Sequence, residues 1–77
     1  MIDKEVAIAI ATQRLKQVYP TPRFLRASHS DSLEEFEAGG TGWRVWFHVE
    51  DPDFGDYDRP VEVCDVSKEA RLVRILL

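Results

Sequence analysis

Cys64 is the only cysteine in the chain, so no internal disulfide can staple the fold, and a lone thiol fits a reducing compartment. Long apolar runs are missing too. Acidic groups enter at once, at Asp3 and Glu5. The apolar stretch from Val6 to Ala11 is too short for a signal-peptide core and far too short to span a bilayer. Positive charge gathers nowhere. Ten Lys and Arg residues are scattered from Lys4 to Arg74 against fourteen Asp and Glu, for a formal net charge of -4. A nucleic-acid binder shows the opposite balance, with its cations in a patch. These absences predict a cytoplasmic protein with no nucleic-acid and no membrane partner.

What is present is ordinary globular material. The 77 residues are 44% hydrophobic and 31% charged, which excludes disorder and suffices for one domain spanning residues 1–77. A core of this size supplies only ~3–5 kcal/mol of net stability, so a homodimer is an expected source of help. Repeats, linkers and low-complexity tracts are absent.

The hydrophobic period divides the chain. Asp3 suits a helix N-cap, and Ile8, Ala11, Leu15 and Val18 then recur at spacings of three and four, the stripe of an amphipathic helix. Val6 and Ile10 form a second, smaller strip. Pro20 and Pro22 stop the helix, predicting its end at Tyr19. Beyond the prolines the period becomes two. Phe24–Ala27 reads as a short strand, Ser28–Ser32 as a turn or bulge, Leu33–Glu37 as a further strand and Ala38–Gly42 as a hairpin turn. Trp43, Val45, Phe47 and Val49 alternate with Arg44, Trp46, His48 and Glu50, the clearest strand and the expected centre of the fold. Asp51–Pro60 reads as a loop, Val61–Val66 as a strand, Ser67–Ala70 as a turn and Arg71–Leu77 as the closing strand. The predicted class is α+β, with one N-terminal helix packed on a meander of four or five antiparallel strands. One helix covers only part of such a sheet, so the other face, carrying Trp46, His48, Cys64 and either Leu72 or Leu76, is expected to need a cover.

The acidic stretch from Glu50 to Asp58 is the most unusual feature. Asp53, Asp56 and Asp58 interleave with Phe54 and Tyr57, and aromatic anchors ringed by charge resemble interface hot spots. Asp53, Phe54, Asp56, Tyr57 and Asp58, with Trp46 and His48 on the neighbouring strand, are therefore the expected partner-binding residues. A calcium loop fits poorly, because the glycine comes at the fifth position and no glutamate arrives in register. His29, His48 and Cys64 are too far apart in sequence for a paired zinc site. Cys64 with His48 as nucleophile and base lacks an orienting third group, and pairs such as His48 with Glu50 or His29 with Asp31 are explained by a solvated strand face. Gly39-Gly40-Thr41-Gly42 has no following helix or lysine to make a phosphate cradle. No catalytic residue, metal ligand or cofactor is implied.

The order helix, proline stop, Trp43-x-Val45-x-Phe47, Val61-x-Val63-x-Asp65, turn, then Val73-x-x-Leu76, resembles the small cystatin-like α+β domains, of which PepSY-type domains are one group. It also resembles the short immunity proteins of bacterial polymorphic toxin systems that adopt a nuclear-transport-factor-like fold. The turn Ser67–Ala70 departs from the pattern, lacking the threonine–glycine pair common there. The resemblance implies binding, and in one branch the neutralising of a toxin by occlusion. It supplies no catalytic residue. The expectation is thus a non-catalytic protein-interaction module. The alternatives are a small-ligand binder or enzyme using a pocket between helix and curved sheet, and a structural or regulatory subunit.

Overall fold

The computed structural model describes residues 1–37 and 40–74. Helix α1 spans Lys4–Leu15. Asp3 caps it as expected: its backbone is extended, and its side chain accepts the Val6 N–H at 2.9 Å. The helix stops earlier than the prolines alone require. A turn follows Leu15, and the Tyr19 N–H donates to the Leu15 carbonyl. Leu15 and Tyr19 therefore stay one above the other and both are buried, while Val18, predicted on the buried stripe, is 53% exposed.

Four strands follow: β1 Arg23–Ser30, β2 Gly42–Asp51, β3 Gly55–Cys64 and β4 Ala70–Leu72. They form one antiparallel sheet in sequential order, with α1 packed across one face. Ala7 and Ala11 are fully buried. Their small side chains let the helix backbone lie close to Val45, Phe47, Val49, Val61 and Val63, which are also fully buried. The alternation read from β2 is thus correct, with its apolar row on the helix side.

Five expectations need correction. Ser28, His29 and Ser30 do not turn; they continue β1 opposite Arg44, Trp43 and Gly42, and the irregularity falls at Leu25, between Phe24 and Arg26. Asp51–Pro60 is not a loop. Only Pro52–Phe54 turns, because the Asp51 carboxylate accepts the Asp53 and Phe54 N–H groups and Gly55 takes φ +79°, so pairing resumes at Gly55. Pro60 is accommodated within β3 because its carbonyl accepts the Val73 N–H, on the side where its own missing donor is not needed by β2. The strand then ends at Cys64, and Val66 lies in the following turn, exposed.

Leu33–Glu37 is not a strand. The segment crosses the sheet face away from α1, where a buried carboxylate takes its backbone donors in place of a ladder partner. Leu72, expected on that outer face, packs against the core instead. Residues 38 and 39 of the predicted glycine turn, and 75–77 of the closing strand, Leu76 included, lie outside the described residues. Among the described residues no helix is long and apolar enough to cross a membrane.

Candidate interaction surface

Strand register fixes which side chains share the outer face. Arg23, His48 and Asp58 are successive cross-strand neighbours, and so are Arg26, Trp46 and Pro60, then Ser28, Arg44 and Glu62. The last of these rows is covered by the chain itself. Glu62 is 0% exposed, and its carboxylate accepts the Glu34 N–H at 3.0 Å, the Glu35 N–H at 2.7 Å and the Arg44 guanidinium at 2.8 Å. Arg71, beside Glu62 on β4, donates to the Glu35 carbonyl and stacks over Phe36. These contacts lay the 33–37 segment over one end of the outer face.

The other end has no such cover among the described residues. Arg26 sits 4.8 Å above the Trp46 ring, shielding part of it as a cation–π pair. His48 Nδ1 lies 3.1 Å from the Asp58 carboxylate, and Nε2 lies 3.6 Å from that of Asp56. These contacts replace the suggested pairing of His48 with Glu50. Beyond them the β2–β3 turn projects Phe54, 69% exposed, on a backbone held by Asp51. From Glu50 to Asp58 there are five carboxylates and no cation.

Trp46, His48, Asp56 and Asp58 therefore share one face, and Asp53 and Phe54 stand at its end. Tyr57 parts company with them. It faces the helix side, where its hydroxyl is hydrogen-bonded to that of Tyr19, and Arg59 donates to the Tyr19 hydroxyl at 2.9 Å. Burial, and then the Tyr19 hydrogen bond, push the Tyr57 phenol above its usual value, so it is neutral at physiological pH. One period of two explains the split: with Asp56 and Asp58 outward, Tyr57 must point inward. Both groups border a hollow of about 840 Å³ along β3, with Tyr19, Tyr57 and Arg59 on one side and Trp46 and Phe54 on the other. The space between helix and sheet is instead filled by Ala7, Ala11, Leu15, Val45 and Phe47.

Further polar groups were not apparent from sequence. His29 Nε2 lies 2.7 Å from Asp65 rather than near Asp31, and the His29 ring meets Trp43 edge-on. Burial alone would raise the Asp65 pKa, but the His29 hydrogen bond and charge outweigh it and hold the carboxyl below its ordinary value. The ionised carboxylate accepts, so Nε2–H donates. Trp43 Nε1 donates to the Ile2 carbonyl, tying the residue ahead of α1 to the same corner. The Ser67 N–H and hydroxyl favour the Cys64 thiolate and lower its pKa. His48 cannot serve that thiolate. Cys64 sits opposite Gly42, six residues along β2 from His48, or roughly 20 Å at strand spacing. Among the described residues no group of three or more His, Cys, Asp or Glu is placed to hold a metal ion. No protein-family model, no curated protein and no solved structure matches this chain.

Proposed function

We propose that this chain is a non-catalytic interaction module that grips a basic protein partner with the acidic β2–β3 hairpin and the adjoining outer sheet face. The observation that carries the reading is Phe54: a large apolar side chain, 69% exposed, at the tip of a turn whose backbone is fixed by Asp51 and Gly55. A rigid apolar anchor loses little freedom on binding. The carboxylates of Asp51, Asp53, Asp56 and Asp58 around it favour a cationic surface and speed its approach. Trp46 and His48 extend the contact onto the sheet. The likeness to cystatin-like domains and to nuclear-transport-factor-like immunity proteins belongs to this proposal. In that reading the partner is a toxin or enzyme whose basic working surface the hairpin occludes.

The test is capture by the tagged full chain, with identification of the bound protein and titration of the purified pair. Phe54→Ser is expected to weaken that complex by at least ~30-fold, in the range of an interface hot spot, and raising salt from 50 to 500 mM is expected to weaken it further. An unchanged affinity for Phe54→Ser, with the fold intact, overturns the proposal.

A further inference from the structure

We propose that the hollow along β3 is a binding site for a small aromatic carboxylate, whose charged end is held by Arg59 and the Tyr19–Tyr57 hydroxyl pair. This site is separate from the space between helix and sheet, which core side chains fill.

The inference begins with the charges that border the hollow: Glu34, Arg44, Asp51, Asp58, Arg59 and Arg74. All but one have a partner of their own. Arg44 pairs with Glu62 at 2.8 Å and lies 3.8 Å from Glu34, and Arg74 lies 3.9 Å from Glu35. Asp58 lies 3.1 Å from His48, and the Asp51 carboxylate accepts two backbone N–H groups. Arg59 is left over. Among the described residues no carboxylate pairs with it. Asp58, its neighbour in sequence, cannot serve, because strand alternation sets the two on opposite faces of the sheet.

The donors of this corner are also in excess. Arg59 gives one N–H to the Tyr19 hydroxyl at 2.9 Å, while its Nε is buried with no acceptor. A phenol oxygen accepts a hydrogen bond but supplies no counter-charge, and a half-buried cation without one is costly. The hydroxyl pair adds to the demand. Two phenols bring two protons, and the bond between them uses one. Whichever hydroxyl donates, the O–H of the other remains to be given. Guanidinium N–H groups and a phenol O–H thus converge where an acceptor of single negative charge is missing. A carboxylate supplies two acceptor oxygens and that charge. A phosphate dianion would bring a second charge close to Asp51 and Asp58 with no second unmatched cation to meet it. The hollow, about 840 Å³, is far larger than a carboxylate, and its other walls include Phe54, Trp46 and Val73. The body of the ligand is therefore apolar and aromatic.

The experiment is an NMR titration of the full chain with phenylacetate, followed at the Arg59 Nε–H and the tryptophan indole N–H signals. Phenylacetamide and inorganic phosphate are titrated in parallel. Phenylacetate is expected to bind saturably with a Kd of about 1 mM or tighter, and both comparison compounds at least ~10-fold more weakly. Arg59→Gln, which keeps an N–H for the Tyr19 hydroxyl, is expected to weaken phenylacetate at least ~10-fold. Arg59→Lys, which keeps the charge and loses the fork, is expected to fall between. Arg23→Gln, a cation on β1 that does not border the hollow, should leave binding unchanged. The amide spectrum away from the hollow reports that each variant is folded. Absence of a saturable shift, equal affinity for phenylacetamide or for phosphate, or a folded Arg59→Gln that binds like wild type overturns the inference. Any of these leaves the partner reading intact, because that reading is judged on Phe54→Ser in a protein complex.

Discussion

Glu62 has no exposed surface, yet its carboxylate accepts four hydrogen bonds: two from backbone N–H groups of the 33–37 segment and two from Arg44. A buried charge is tolerable only when every lone pair is matched in this way. Glu62→Ala is expected to destabilise the fold by ~3–5 kcal/mol, since it strands Arg44 and two amides at once; urea denaturation checks it. Asp65 shows the same principle with a pH signature. Its folded-state pKa is depressed, so its stabilisation is present above the unfolded-state value and is lost as pH falls through the folded one. Stability should therefore drop below about pH 4, and Asp65→Asn, less stable than wild type at neutral pH, should lose part of that acid limb. Neither role was legible beforehand. Glu62 reads as an ordinary polar residue between two valines, and Asp65 finds His29 thirty-six positions away. Such partners are set by sheet register and by the path of an irregular segment, neither of which local period encodes.

Among the elements, what had a strong period was legible: α1 from its stripe and N-cap, and β2 from its alternation. What failed was punctuation. Pro52, Gly55 and Pro60 suggested a long loop, but two of them serve a tight turn and the third sits on the side of β3 facing away from β2. The polar run Ser28–Ser30 suggested a turn, yet pairing with β2 overrode that preference. Two glycines separate the reasons for having one. Gly55 has φ +79° with open space around it, so Gly55→Ala costs only backbone strain, ~1 kcal/mol. At Gly42 a Cβ would lie 2.0 Å from the Val63 carbonyl oxygen and 3.0 Å from Leu33, so Gly42→Ala must push β2 from β3. It should cost ~3 kcal/mol or more. Comparing the two denaturation midpoints tests the distinction, and equal losses would mean that the close approach at Gly42 relaxes freely.

Over the whole molecule, the two faces of the sheet are closed by different means, and this determines where the fold opens. The helix face is shut by apolar packing from Ile2 to Val63. The outer face is shut at one end by a carboxylate clamp and, among the described residues, left bare at the other. Protection from hydrogen exchange should follow this division. The β2–β3 ladder, paired over its full length, should exchange only through global unfolding. β1, at the sheet edge and largely exposed, should exchange by local opening. The informative amides are those of Glu34 and Glu35. They lie in an irregular segment outside the strand ladder, where amides ordinarily exchange fast, yet both donate to Glu62. They should be protected far above Ser32 and Glu37, and Glu62→Gln, which keeps one acceptor oxygen, should release one of the two before β2 changes at all. If both amides exchange freely in the wild-type chain, the clamp does not hold in solution. The 33–37 segment would then lift and bare the whole outer face, enlarging the surface open to a partner.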